Sequence, residues 1–176
     1  MAFVIDMTEI YKKIGGRDGR QADNLKETAA RVFKDNSGGA GTASFQGDRY
    51  FMQFDGIGES EGFHRAALII NDIGTRILGT LFQTMEVPDF IIAAKAKDIT
   101  DADGTINHRK VDDVVEDGGV PISMDKPTPA DPIWLQQSWQ KNTKAVEIAK
   151  VEKSRSPFDD DDEEEFEWRS VDRNSS

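Results

Sequence analysis

The chain contains no cysteine among its 176 residues, which excludes disulfides, thiolate catalysis and cysteine-ligated metal. Histidine is nearly as scarce: with only His64 and His108, neither a histidine-rich metal site nor a His-dependent triad has the material to form. Long apolar runs are missing too, and none approaches the roughly 18 residues that a membrane span needs. The opening Met1-Ala2-Phe3-Val4-Ile5-Asp6 has neither the basic region nor the long apolar stretch of a signal peptide. The expectation is a cytoplasmic protein with no membrane partner. Positive charge is also in deficit, for the formal net charge is -11. Phosphates repel such a chain, so no nucleic-acid partner is expected.

A chain of this length can bury one good core, and one domain with appendages is the reading. Apolar and polar residues alternate in blocks that predict strands at 2–6, 42–46, 50–54, 90–94 and 120–124. Helical spacing predicts a short amphipathic segment carrying Ile10, Tyr11 and Ile14, and a helix from Asn24 to Lys34 with Asp23 as its N-cap. The longest helical pattern runs through Phe63, Ala66, Ala67, Ile70, Ile73, Ile77 and Leu78, and a shorter one from Asn107 to Asp117 buries Val111, Val114 and Val115. The predicted class is α/β: a mixed sheet with helices mainly on one face, extended by a C-terminal helix and a disordered acidic tail. The expected divisions are a domain at 1–125, a Pro-rich linker at 126–132, a helix at 133–153 and the tail at 154–176.

The most informative stretch is Phe45-Gln46-Gly47-Asp48-Arg49-Tyr50-Phe51-Met52-Gln53-Phe54, two short strands pinched around a Gly-Asp turn. Phe3-Val4-Ile5-Asp6 is an apolar strand that also ends in a carboxylate. Two strand-end carboxylates set side by side can hold a divalent metal against a triphosphate. Asp6 and Asp48 are therefore candidate ligands for one Mg²⁺. Against this, a Gly-Asp turn needs no ligand to form, and Arg49 can pair with Asp6 or Asp48 and replace the metal by an internal ion pair. The acidic stretch Asp98 to Ile106 fails as a calcium loop, because Ile99 and Lys110 would occupy ligand positions. It reads as a turn.

With those residues in view, positions 3 to 124 resemble a degenerate GGDEF domain, the diguanylate cyclase fold related to adenylyl cyclase and polymerase palms. The family's opening strand ending in Asp is matched by Phe3-Val4-Ile5-Asp6. Its next segment is echoed by Ile10-Tyr11-Lys12-Lys13-Ile14, its Gly-His-x-x-Gly-Asp-x-x-Leu by Gly19 to Leu25, and its signature hairpin by Ser44-Phe45-Gln46-Gly47-Asp48-Arg49-Tyr50. The resemblance implies a palm-like, nucleotide-cyclase-like fold. The departures imply lost catalysis. Arg49 stands where the signature has Glu and would repel a metal or contact phosphate, Gln46 replaces a Gly, and Gly15 falls where an Asn reads guanine. The inhibitory Arg-x-x-Asp upstream is absent near Ser37 to Ala40.

The tail adds a second theme. Phe158 precedes the run Asp159 to Glu165, and Phe166 and Trp168 follow it. Acidic residues interleaved with rings suit a peptide that docks on a protein partner with a basic groove and an apolar pocket; the alternative is a solvated tail. Trp134 and Trp139 either pack back on the domain or form an oligomer or partner surface. The function expected first is a catalytically inactive, GGDEF-like interaction or regulatory module without a resident cofactor. The alternatives are a metal-dependent nucleotide cyclase or nucleotidyl transferase using Asp6 and Asp48, and a structural subunit of a phage or organelle assembly.

Overall fold

A computed structural model describes residues 1–87 and 89–154. Four strands, β1 (Ala2–Asp6), β2 (Thr42–Gln46), β3 (Arg49–Gln53) and β4 (Ile91–Ala94), form one sheet in the order β2-β3-β1-β4. Every neighbouring pair is antiparallel, which corrects the expected mixed sheet. The physical reason is insertion: β3 lies between β1 and β2, and β1 lies between β3 and β4, so strands joined by helical crossovers never become neighbours. This is a split β-α-β arrangement.

The central strand β1 is apolar along its length because both faces of the sheet are covered. Phe3 and Ile5 join Tyr50, Met52, Ile91 and Ala93 in the main core, whereas Ala2 and Val4 join Phe51 and Ala94 on the opposite side. The main core is closed by α1 (Thr8–Ile14), α2 (Arg20–Asn36), α3 (Glu59–Leu78) and the short α4 (Thr80–Gln83). From α2 come Leu25, Ala29, Val32 and Phe33, and from α3 come Phe63, Ala66, Ile70 and Ile73, as their helical spacing requires. The smaller layer is α5 (Ala96–Ile99) and α6 (His108–Glu116), which contribute Ile99 and Val111.

Several local expectations change. Helix α2 begins three residues before Asp23, because Gly19 at φ 94° turns the chain into the helix and its carbonyl accepts from Asp23 N–H at 3.1 Å. Asp23 thus sits in the first turn, where its charge suits the helix dipole. The stretch 120–124 does not form a strand. Val120 N–H reaches Ala93 O at 2.8 Å, but Pro121 has no donor, and the Asn142 carboxamide takes both the N–H and the carbonyl of Ile122. Helix α4 was not anticipated. It brings Phe82 under α3, and Gly74 leaves the room: a methyl group there would collide with that ring.

The C-terminal helix α7 (Ile133–Ser154) is anchored in the main core by its first turns rather than carried as an appendage. Trp134 is 0% exposed and packs on Phe90 at 5.3 Å and Phe82 at 5.9 Å between ring centroids. It therefore cannot belong to a partner surface, which corrects that assignment. Among the described residues its indole N–H finds no acceptor, a cost of about 1–3 kcal/mol that ring packing has to offset. Trp139 is half-buried and donates to Met124 O at 3.3 Å, so it too packs back on the domain. No described helix is long and apolar enough to cross a membrane. Trp134→Ala is expected to cost about 3–5 kcal/mol in urea unfolding, the range for removing a buried ring. A change below about 0.5 kcal/mol would place the indole at the surface instead.

Candidate functional site

The geometry of the site follows from one hydrogen bond and one register. The turn between β2 and β3 places Gly47 at φ 58°, and a Gly-first two-residue turn is one whose twist suits a tight hairpin. Gly47 is thus explained by the turn, without a phosphate. Asp48 O then accepts from Met7 N–H at 2.8 Å, which ties the hairpin tip to the exit of β1. Because Asp6 pairs with Arg49 across the β1–β3 ladder, Asp6, Asp48 and Arg49 all emerge at the same end of the sheet.

They border a cleft of about 260 Å³ with Thr8, Gln46, His108 and Asp112. Asp6 is exposed, and its Oδ1 accepts from Thr8 N–H at 2.9 Å, closing a turn into α1. Asp48 pairs with Arg17 at 3.1 Å, not with Arg49. Arg49 reaches the other way, to Asp112 on α6, at 2.6 Å. The expected pairing of Arg49 with Asp6 or Asp48 is corrected accordingly. The Arg49 side chain is only 24% exposed while Asp112 is 58% exposed, so the pair contributes at most about 1 kcal/mol. Its consequence is orientation: the guanidinium is held across the cleft, fastening the hairpin to α6.

Among the described residues no three His, Asp or Glu side chains converge as a ligand set. Asp6 and Asp48 remain the two carboxylates with which a Mg²⁺ would have to bind. Asp48 would have to release Arg17, and Arg49 beside it would repel the ion. Sequence reasoning missed Arg17, His108 and Asp112. The last two were within reach, since His108 and Asp112 are four residues apart and share one side of α6, off the Val111 face.

The acidic turn after α5 is satisfied from within. Asp101 accepts from Asn107 Nδ2 at 2.9 and 3.1 Å and pairs with Lys110 at 3.1 Å. These partners hold its carboxyl below the ordinary range, the Asn107 hydrogen bond contributing most. Asn107 also caps α6 by accepting from Arg109 and Lys110 N–H.

A second cleft, of about 530 Å³, lies on the far side of the hairpin tip and is lined by Tyr11, Arg17, Asp18, Lys26, Phe45 and Gly47. A groove of about 540 Å³ runs between α3 and residues 124–131, with His64 at its edge. His64 is exposed, in keeping with a surface role. Phe158, Phe166 and Trp168 lie outside the described residues.

Two tyrosines beside these clefts titrate abnormally. Burial pushes the Tyr50 phenol well above its ordinary value of 10, and its hydroxyl donates to Ala29 O at 3.4 Å. Burial raises Tyr11 as well, Asp48 adds to the rise and Arg17 opposes it. Above pH 10 the unfolded chain loses these protons while the native chain retains them. Stability is therefore full below pH 10 and falls as pH rises through the raised native values, by up to about 1.4 kcal/mol per pH unit for each phenol. Tyr50→Phe should remove its share of that alkaline loss. Urea unfolding at pH 8 and pH 11 checks this, and equal losses in both proteins would contradict it.

Comparison with protein-family models, curated proteins and solved structures gives no match for this chain.

Proposed function

We propose that this protein is a non-catalytic, GGDEF-like interaction module that presents its acidic, aromatic C-terminal segment to a protein partner with a basic groove. One observation carries the non-catalytic part of this reading. Both arginines bordering the hairpin tip are engaged by carboxylates, Arg17 by Asp48 and Arg49 by Asp112, so Asp48 is already paired and Asp6 lies across the ladder from a guanidinium-bearing residue. In a nucleotide-polymerising palm the corresponding carboxylates must be free to take metal. Here each would first have to break an ion pair or accept an ion next to a guanidinium. The sequence departures at Gln46, Arg49 and Gly15 support the same conclusion.

A second reading has its own support. The strand order β2-β3-β1-β4 brings Asp6 and Asp48 to one end of the sheet, as a metal-dependent nucleotide cyclase or transferase would need. In that reading Arg49 contacts phosphate. Assembly as a structural subunit is the third reading, and here the fold adds nothing to the sequence. Thermal shift with GTP, ATP and cyclic di-GMP, each with and without Mg²⁺, separates the first two. A native-state ligand raises the melting temperature once its concentration passes its dissociation constant. The interaction module predicts no Mg²⁺-dependent shift and no nucleotide consumption at millimolar ligand. A Mg²⁺-dependent shift lost in Asp48→Ala would overturn it.

A further inference from the structure

We propose that the free edge of β2 pairs with β2 of a second copy of this chain, antiparallel about Ser44, so that two sheets become one continuous sheet. β2 and β4 are the two edges of the sheet, and the protein treats them differently. Along β4 the chain returns. Val120 N–H donates to Ala93 O at 2.8 Å, and Gly119 lies so close that a methyl group there would meet the same oxygen at 2.5 Å. Pro121 and the hold of Asn142 on Ile122 then end the approach, so that edge is covered by the chain itself.

Nothing comparable lies along β2 among the described residues. Its register with β3 is unbroken over five residues, and the two-residue turn makes Gln46 and Arg49 the closing hydrogen-bonded pair. Alternation then directs the N–H and C=O groups of Thr42 and Ser44 toward β3, and those of Ala43 and Phe45 outward. Among the described residues the outward groups meet no hydrogen-bond partner. Thr42–Gln46 also has none of the usual guards of an edge: no charge, no proline and no bulge. Such an edge is a template for another extended strand.

Self-complementarity identifies the occupant. Antiparallel pairing about Ser44 sets Ala43 of each copy against the partner's Phe45, so a methyl group faces each partly exposed ring. The two outward N–H groups of each copy then reach the two outward carbonyls of the other. Charge, which keeps copies of a chain at -11 apart elsewhere, does not oppose this contact, because β2 is neutral and Ser44 faces only Ser44. The antiparallel direction also sends the two hairpin tips, each with Asp48, to opposite ends, about eight residues or 27 Å apart along the ladder. That exceeds a Debye length of about 8 Å, whereas parallel pairing would set the tips side by side. None of these residues belongs to the C-terminal segment, so the pairing goes beyond the interaction-module reading and stands or falls without it.

The test is sedimentation of the full chain from about 5 µM to about 1 mM, a range set by the weakness expected of so small an interface. Wild type is compared with Ser44→Lys, Ser44→Glu, their equimolar mixture, and Ala43→Pro. Ser44 is exposed, and Ala43→Pro deletes an outward N–H while leaving the β2–β3 ladder, so equal melting temperatures at low concentration separate pairing from folding. Expected is a wild-type mass that rises to two chains and stops there. Each charged variant should associate several-fold more weakly, since like charges face each other at the two-fold position, and the mixture should recover the dimer through a Lys–Glu pair. Ala43→Pro should remain a single chain; should it fail to fold, the Ser44 mixture decides alone. A wild type that stays a single chain at the highest concentration would overturn the inference. Dimers indifferent to all three substitutions would do so too, because they place the contact elsewhere. Slow amide exchange at Ala43 and Phe45 in a single chain puts another segment of the protein on this edge, which also contradicts self-pairing.

Discussion

The burial of β1 on both faces is the constraint from which the rest of the structure follows. A central antiparallel strand with water on one side would show alternation, but Phe3, Val4 and Ile5 are all buried. Two layers of helix must therefore exist, one using Phe3 and Ile5 and the other using Val4. Each buried side chain of this kind contributes about 1.5–3 kcal/mol. Once β1 is fixed, Asp6 becomes its first exposed residue, and the Met7–Asp48 hydrogen bond brings the hairpin tip against it. The site is a by-product of where the core ends.

That origin explains the chemistry available there. Carboxylates at a strand exit and a hairpin tip are solvated and free to choose partners, and the chain supplies guanidinium groups rather than further acids. Arg17 comes from the loop before α2, Arg49 from the first position of β3. Each pair is weak by itself, yet together they tie the loop to the hairpin and the hairpin to α6. An ion entering this end of the sheet would have to compete with the Arg17–Asp48 pair.

Legibility in the sequence varied with the range of the interaction. The hairpin, α3 and the apolar face of α6 were readable because period and turn chemistry are local. Gly47 and the apolar positions from Phe63 to Leu78 carry their own signal. Strand direction was not readable, since β3 inserts between β1 and β2 from forty residues away. Neither was the fate of Trp134: its partners Phe82 and Phe90 are brought together by α4 and β4, and nothing near Trp134 announces them. The stretch 120–124 has strand-like composition, but Asn142, twenty residues on, takes the hydrogen bonds of Ile122 that a ladder would use. At the site the backbone positions of Asp6, Asp48 and Arg49 were foreseeable, whereas the pairing of Asp48 with Arg17 and of Arg49 with Asp112 depends on packing across the fold.

The central proposal is that Asp48 and Arg49, already engaged by Arg17 and Asp112, keep the Asp6–Asp48 end of the sheet from serving as a metal centre. Carboxyl-carbon NMR of Asp6 and Asp48 during a Mg²⁺ titration tests it most directly. The account predicts that neither signal moves up to several millimolar Mg²⁺ beyond the shift shown by other exposed aspartates. Saturable movement of both signals with a common midpoint would contradict it and restore a metal centre to this fold.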